Sequence, residues 1–111
     1  MLIGRKIFKG QKIMNLFEYN KIPERMMTSM TEYIETGRPM GHFLTAVFAN
    51  DLSEAVKRGD AENVWIIPIY MTWVLNFAPI GSMGSYEKVD EWVKKGGREE
   101  AKTHTNWVNT K

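Results

Sequence analysis

The apolar and polar positions along this chain predict helices, and one segment dominates the pattern. Residues 64–80, VWIIPIYMTWVLNFAPI, contain no charged side chain, and the next charge is Glu87. A helix that is apolar on every side has no face to offer water, so it is expected to be wrapped by the rest of the protein, by a second subunit or by lipid. A bilayer span needs about 20 predominantly apolar residues. This run is interrupted by Pro68, Asn76 and Pro79, then by Gly81, Ser82, Gly84 and Ser85, with Asp60 and Glu62 just upstream. A buried core helix is therefore expected rather than a membrane span.

The remaining pattern places three more helices around it. Residues 23–36 carry Met26, Met30, Tyr33 and Ile34 in line with Ile22, a single apolar stripe at helical spacing. Pro23 suits the first turn, Glu24 suits the positive end of the dipole, and Gly37 suits a left-handed stop. After the Arg38-Pro39 turn, residues 41–58 form one helix, with Phe43, Leu44, Val47, Phe48, Leu52, Ala55 and Val56 on a wide apolar face. Asn50 and Asp51 lie inside it although both are mediocre helix formers. Asp60 caps the third helix, residues 60–78, which Pro68 kinks or restarts and Pro79 ends. Ser85 caps the fourth, residues 86–95, where Tyr86, Val89 and Val93 share a face and Trp92 lies beside it. The expectation is an all-α, four-helix single domain over residues 21–97, between a basic arm (1–20) and a polar tail (98–111).

Composition changes this picture in two places. The net charge of +2 is too small to suggest nucleic acid, but Arg5, Lys6, Lys9 and Lys12 put +4 in the first fourteen residues and leave −2 for the rest. Gly4 and Gly10 break the arm, and Met14 is a possible start of the folded protein. Cysteine is absent, so no disulfide framework or thiolate chemistry is expected, and a reducing cytoplasm fits. The apolar pieces of the arm are too short for a signal peptide. A chain of 111 residues buries only about two-thirds of its unfolded surface, so so apolar a segment also points to a homo-oligomer.

The stretch GHFLTAVFANDL, residues 41–52, resembles the signature of a family of small, mostly uncharacterised phage and prophage proteins. The matching positions are Gly41, Phe43, Leu44, Ala46, Val47, Asn50, Asp51 and Leu52, followed by Asp60, Asn63, Pro68, Pro79, Gly84, Ser85, Val89 and Trp92. Gly59 stands where that family commonly has alanine, and His42 where it commonly has a second glycine. The likeness covers residues 22–97. It implies a phage origin and the cytoplasm of an infected bacterium, and it assigns no catalytic residue.

Enzyme motifs are missing. His42 and His104 are far apart, no zinc-ligand or phosphate-loop spacing occurs, and an acid–base pair would have to be assembled from Asp51, Glu54 and Asp60, carboxylates of a kind common on helix surfaces. No cofactor, metal or catalysis is expected. Three polar features are candidates for ligand binding. Asn50-Asp51 border an apolar face and either fix helix packing or recognise a ligand. Gly84-Ser85 either cap a helix or meet an anion. Tyr70, Trp73, Tyr86 and Trp92 either belong to the core or stack on a base at a subunit boundary. Arg38, His42 and Asn63 complete the candidate set. The leading expectation is an oligomeric, non-enzymatic protein that sequesters a nucleotide-like messenger of antiphage defence. The alternatives are an inhibitor that binds a host protein through an apolar patch, and a weak nucleic-acid binder that uses the basic arm.

Overall fold

A computed structural model describes residues 18–98, so the basic arm up to residue 17 and the tail from residue 99, with their proposed roles, lie outside the described residues. The regular elements of the described residues are all helical, without strands. Six α-helices follow a 3-10 turn at Tyr19–Lys21: α1 Glu24–Thr36, α2 His42–Phe48, α3 Leu52–Arg58, α4 Ala61–Trp65, α5 Ile67–Phe77 and, after a second 3-10 turn at Ile80–Ser82, α6 Tyr86–Lys95. No helix among them is long and apolar enough to cross a membrane.

Six helices replace the expected four because two predicted helices are divided. The segment 41–58 breaks at Asn50, which takes φ +65 in the left-handed region. Asparagine tolerates that region better than most residues. The helix ends with the Asn50 N–H donating to the Val47 carbonyl at 3.1 Å and the Asp51 N–H to the Ala46 carbonyl at 2.9 Å. Asp51 then caps the next helix, its Oδ1 accepting from the Glu54 N–H at 3.2 Å. One short polar pair thus stops α2 and starts α3. The break turns α3, so Leu52 (64% exposed) and Val56 (48%) leave the core face on which the continuous helix would place them.

The segment 60–78 divides at Ile66, whose φ −112 and ψ 22 belong to neither helix. Pro68 sits in the first turn of α5, where its missing N–H has no helical partner to lose. Asp60 caps α4 as expected, accepting from the Asn63 N–H at 2.8 Å.

The core is built on α2, five of whose seven residues (Phe43, Leu44, Ala46, Val47 and Phe48) are buried. Tyr33 of α1 meets Phe48 edge to face at 5.1 Å, and Tyr70 of α5 meets Phe43 at 5.2 Å. On α6 the buried pair is Val89 and Trp92, while Tyr86 is half exposed and Val93 only partly covered; the inward face is shifted from the one expected. Trp92 Nε1 donates to the carbonyls of Tyr33 and Ile34 at 3.0 and 3.2 Å, which ties α6 to the end of α1. There Gly37 (φ +77) and Gly97 (φ +95) let two backbones meet. A Cβ on Gly97 would lie 2.5 Å from the Glu35 carbonyl oxygen, and one on Gly37 2.8 Å from the Gly97 nitrogen.

The apolar segment is not enclosed on every side. Within α5 only Ile67, Tyr70 and Val74 are buried, while Leu75 is 66% and Phe77 49% exposed; Trp65 before it reaches 83% and Ile80 after it 82%. Pro68, Thr72 and Asn76 recur every four residues and form a mildly polar outer seam. Thr72 Oγ1 donates to the Pro68 carbonyl at 2.8 Å, and Asn76 Nδ2 to the Tyr19 hydroxyl at 2.9 Å. Proline, threonine and asparagine carry no charge, so the charge pattern conceals this seam.

Candidate functional site

The break between α2 and α3 meets the start of α6. The Gly84 N–H donates to the Phe48 carbonyl at 2.7 Å, and the Tyr86 hydroxyl donates to Asp51 Oδ2 at 2.7 Å. Ser85 caps α6, its Oγ accepting from the Lys88 N–H at 3.1 Å. Five of the residues singled out in the sequence, Asn50, Asp51, Gly84, Ser85 and Tyr86, thus come together from positions more than thirty residues apart (50–51 and 84–86).

Beside the break lies a slot of about 170 Å³. Its walls are apolar: Ala46 and Val47 from α2, Leu52 and Ala55 from α3, Ile67 and Met71 from α5. Polar groups enter only through Asn50 and Asp51. The two differ in engagement. Asp51 uses both carboxyl oxygens, on Tyr86 and on the Glu54 N–H. The Tyr86 hydroxyl, the Glu54 N–H and, more weakly, nearby Lys57 hold its carboxyl below the usual aspartate range. The same hydrogen bond, with partial burial, pushes the Tyr86 hydroxyl up to about 12. Asn50 is exposed, and among the described residues its side-chain amide has no hydrogen-bond partner. Its backbone is held by the helix stop while its amide is free.

The other candidates lie elsewhere. Asn63 is 3% exposed and its Oδ1 accepts from the buried Tyr70 hydroxyl at 2.6 Å, so its polar group is spent inside the core. Burial pushes that Tyr70 hydroxyl up to about 12. Arg38 pairs with Glu32 at 2.9 Å on the surface, and His42 is exposed at the first position of α2; neither lines the slot. Of the aromatic set, Tyr70 and Trp92 are core residues, Trp73 is half-buried against Phe77, and Tyr86 alone reaches the site. Among the described residues no three His, Cys, Asp or Glu side chains converge as metal ligands.

Sequence reasoning missed the slot walls. Leu52, Ala55, Ile67 and Met71 read as ordinary core positions, and the signal that separates them is the Asn50 stop, which turns Leu52 outward. A second, wider depression of about 580 Å³ runs from Tyr19 to Met27 beside Glu62; it is lined by charges of both signs and holds none of the candidate residues. Comparison with protein-family models, curated proteins and solved structures returned no match.

Proposed function

We propose that this chain is a non-catalytic binding protein that sequesters a nucleotide-like signalling molecule, as a phage-encoded anti-defence protein would in the cytoplasm of an infected bacterium. The observation that carries this reading is the unpartnered Asn50 amide at the mouth of an apolar slot, beside a carboxylate fixed by Tyr86. A preformed apolar pocket with a few oriented polar groups is sufficient for tight binding, and turnover needs more than this site offers. The slot, at about 170 Å³, is smaller than the roughly 300 Å³ at which pockets begin to enclose drug-sized ligands. Exposed Leu52, Val56 and Leu75 on α3 and α5 supply apolar surface on which a second copy can close over the remainder of the ligand.

Thermal shift with a panel of linear and cyclic nucleotides, together with native mass spectrometry of protein from infected cells, tests the proposal. Stabilisation by several degrees and a co-purifying mass on an oligomer are expected. Absence of both would remove it. The second reading, an inhibitor of a host protein, draws on the exposure of Trp65 (83%) and Ile80 (82%), large apolar side chains of the kind that anchor protein interfaces. A stoichiometric protein captured from host lysate would favour it over a bound small molecule.

A further inference from the structure

We infer that the protein's own basic arm fills the slot between α2, α3 and α5, with the ring of Phe8 inside and Lys6 and Lys9 beside the Asp51 carboxylate. Arm docking stands without the nucleotide reading, and any ligand of the slot has to displace the ring. Size comes first. A cavity of about 170 Å³ with aliphatic walls is close to the roughly 150 Å³ that accepts a benzene ring. Met71 is one wall, and a thioether packs well against an aromatic edge. Leu52 is both a wall and 64% exposed, so apolar surface runs from the slot to the outside.

Charge comes second. Asp51 is the only charged residue among the walls. Its carboxyl is held below the usual aspartate range, so it is ionised at neutral pH. Both of its oxygens bond to neutral donors, the Tyr86 hydroxyl and the Glu54 N–H. The two cations of α3, Lys57 and Arg58, pair with Glu54 instead, at 3.1 and 3.2 Å. An apolar slot edged by such a carboxylate suits an apolar side chain flanked by cations. The arm has two aromatic rings, Phe8 and Phe17. Phe8 stands between Lys6 and Lys9, whereas Phe17 is followed by Glu18, which would set an acid against Asp51.

Reach comes third. The described chain begins beside α5: the Tyr19 ring meets Phe77 edge to face at 5.8 Å, and its hydroxyl accepts from Asn76 Nδ2 at 2.9 Å. α5 has eleven residues, so it is about 16 Å long, and the slot walls Ile67 and Met71 lie on it. The ten residues from Phe8 to Glu18 span up to about 33 Å, twice that length. A tether this short holds the ring near the slot at about millimolar effective concentration. The polar tail fits less well. The described chain ends at Arg98, paired with Glu35 of α1 at 3.4 Å, and no cation stands within two residues of Trp107.

The test is NMR of the full chain with isotope-labelled methionine methyl groups, in which Met71→Leu identifies the Met71 signal. A ring in the slot shifts that signal, so Phe8→Leu is expected to move it and Phe17→Leu to leave it in place. The paired substitution Lys6→Gln and Lys9→Gln is expected to move it part of the way in the same direction, because fewer arms dock. Labelled wild type mixed with an excess of unlabelled Phe8→Leu chain separates a chain's own arm from a partner's, and the Met71 signal is expected to stay at its wild-type position. A signal indifferent to Phe8→Leu, or to the paired lysine substitutions, overturns the inference. A signal that follows the unlabelled chain in the mixture overturns it in favour of arms exchanged between copies.

Discussion

Helices α2 and α5 invert what their compositions suggest. The α5 segment is the most apolar of the chain, yet of its eleven residues only Ile67, Tyr70 and Val74 are buried. α2 lies in a stretch that reads as half of an ordinary two-faced helix, yet five of its seven residues are buried. Position in the fold decides the difference. α2 is stopped at both ends within seven residues, so α1, α5 and α6 can all pack around it. α5 is longer and carries a seam of Pro68, Thr72 and Asn76 that faces outward. Burial follows from how many neighbours an element can receive, and mean hydropathy is a poor guide to that number.

Truncation in α2 is the strongest way to break this comparison. Phe48→Ala removes a fully buried ring packed on Tyr33 and is expected to cost about 3–5 kcal/mol in denaturant unfolding. A loss under about 1 kcal/mol would move the centre of the fold away from α2. Gly97→Ala follows, at about 3 kcal/mol, since it places a methyl group against the Glu35 carbonyl at a positive φ. Thermal melts that match wild type would count against the close backbone contact. Within α5 the two flanks are expected to separate. Val74→Ala should cost about 2 kcal/mol, and Leu75→Ala, one residue on, under about 0.5 kcal/mol in a dilute monomer. Equal effects would show that the outer face is covered.

The smallest expected effect reports on the clasp between α3 and α6. Asp51 has its pKa lowered in the fold, so its stabilising contribution is present above the ordinary aspartate value of about 4 and is lost as pH falls through the lowered value. Tyr86 is raised to about 12, so its contribution is complete below about 10 and is lost as pH rises through about 12. The stability gap between wild type and Tyr86→Phe should therefore be widest at neutral pH and close at both extremes. A gap that does not change with pH would place the effect of Tyr86 in ring packing.

Much of the fold was legible because helix ends are written locally. Gly37, Asp60 and Ser85 stop or cap helices as their chemistry requires, and of the stripe Ile22, Met26, Met30, Tyr33 and Ile34 all are buried except Met26, which is partly covered. The break at Asn50 was hidden because Val47, Leu52, Ala55 and Val56 keep helical spacing across it, so periodicity continued where the backbone did not. Asn50, Asp51, Gly84, Ser85 and Tyr86 could be suspected one by one as polar groups in special places. Their meeting depends on the Gly84–Phe48 and Tyr86–Asp51 bonds, which span more than thirty residues, and no local rule encodes such a distance. Arg38 and His42 were nominated by type and Asn63 by its place in the phage-like signature, and the fold sends all three away from the slot.

The meeting of Gly37 with Gly97 bears on how the chain reaches this structure. The two positions are sixty residues apart in sequence, and closing so large a loop costs chain entropy before any contact repays it. That cost is repaid only where the two backbones can approach without side chains between them, so the join between the end of α1 and the end of α6 is open to glycine and closed to larger residues.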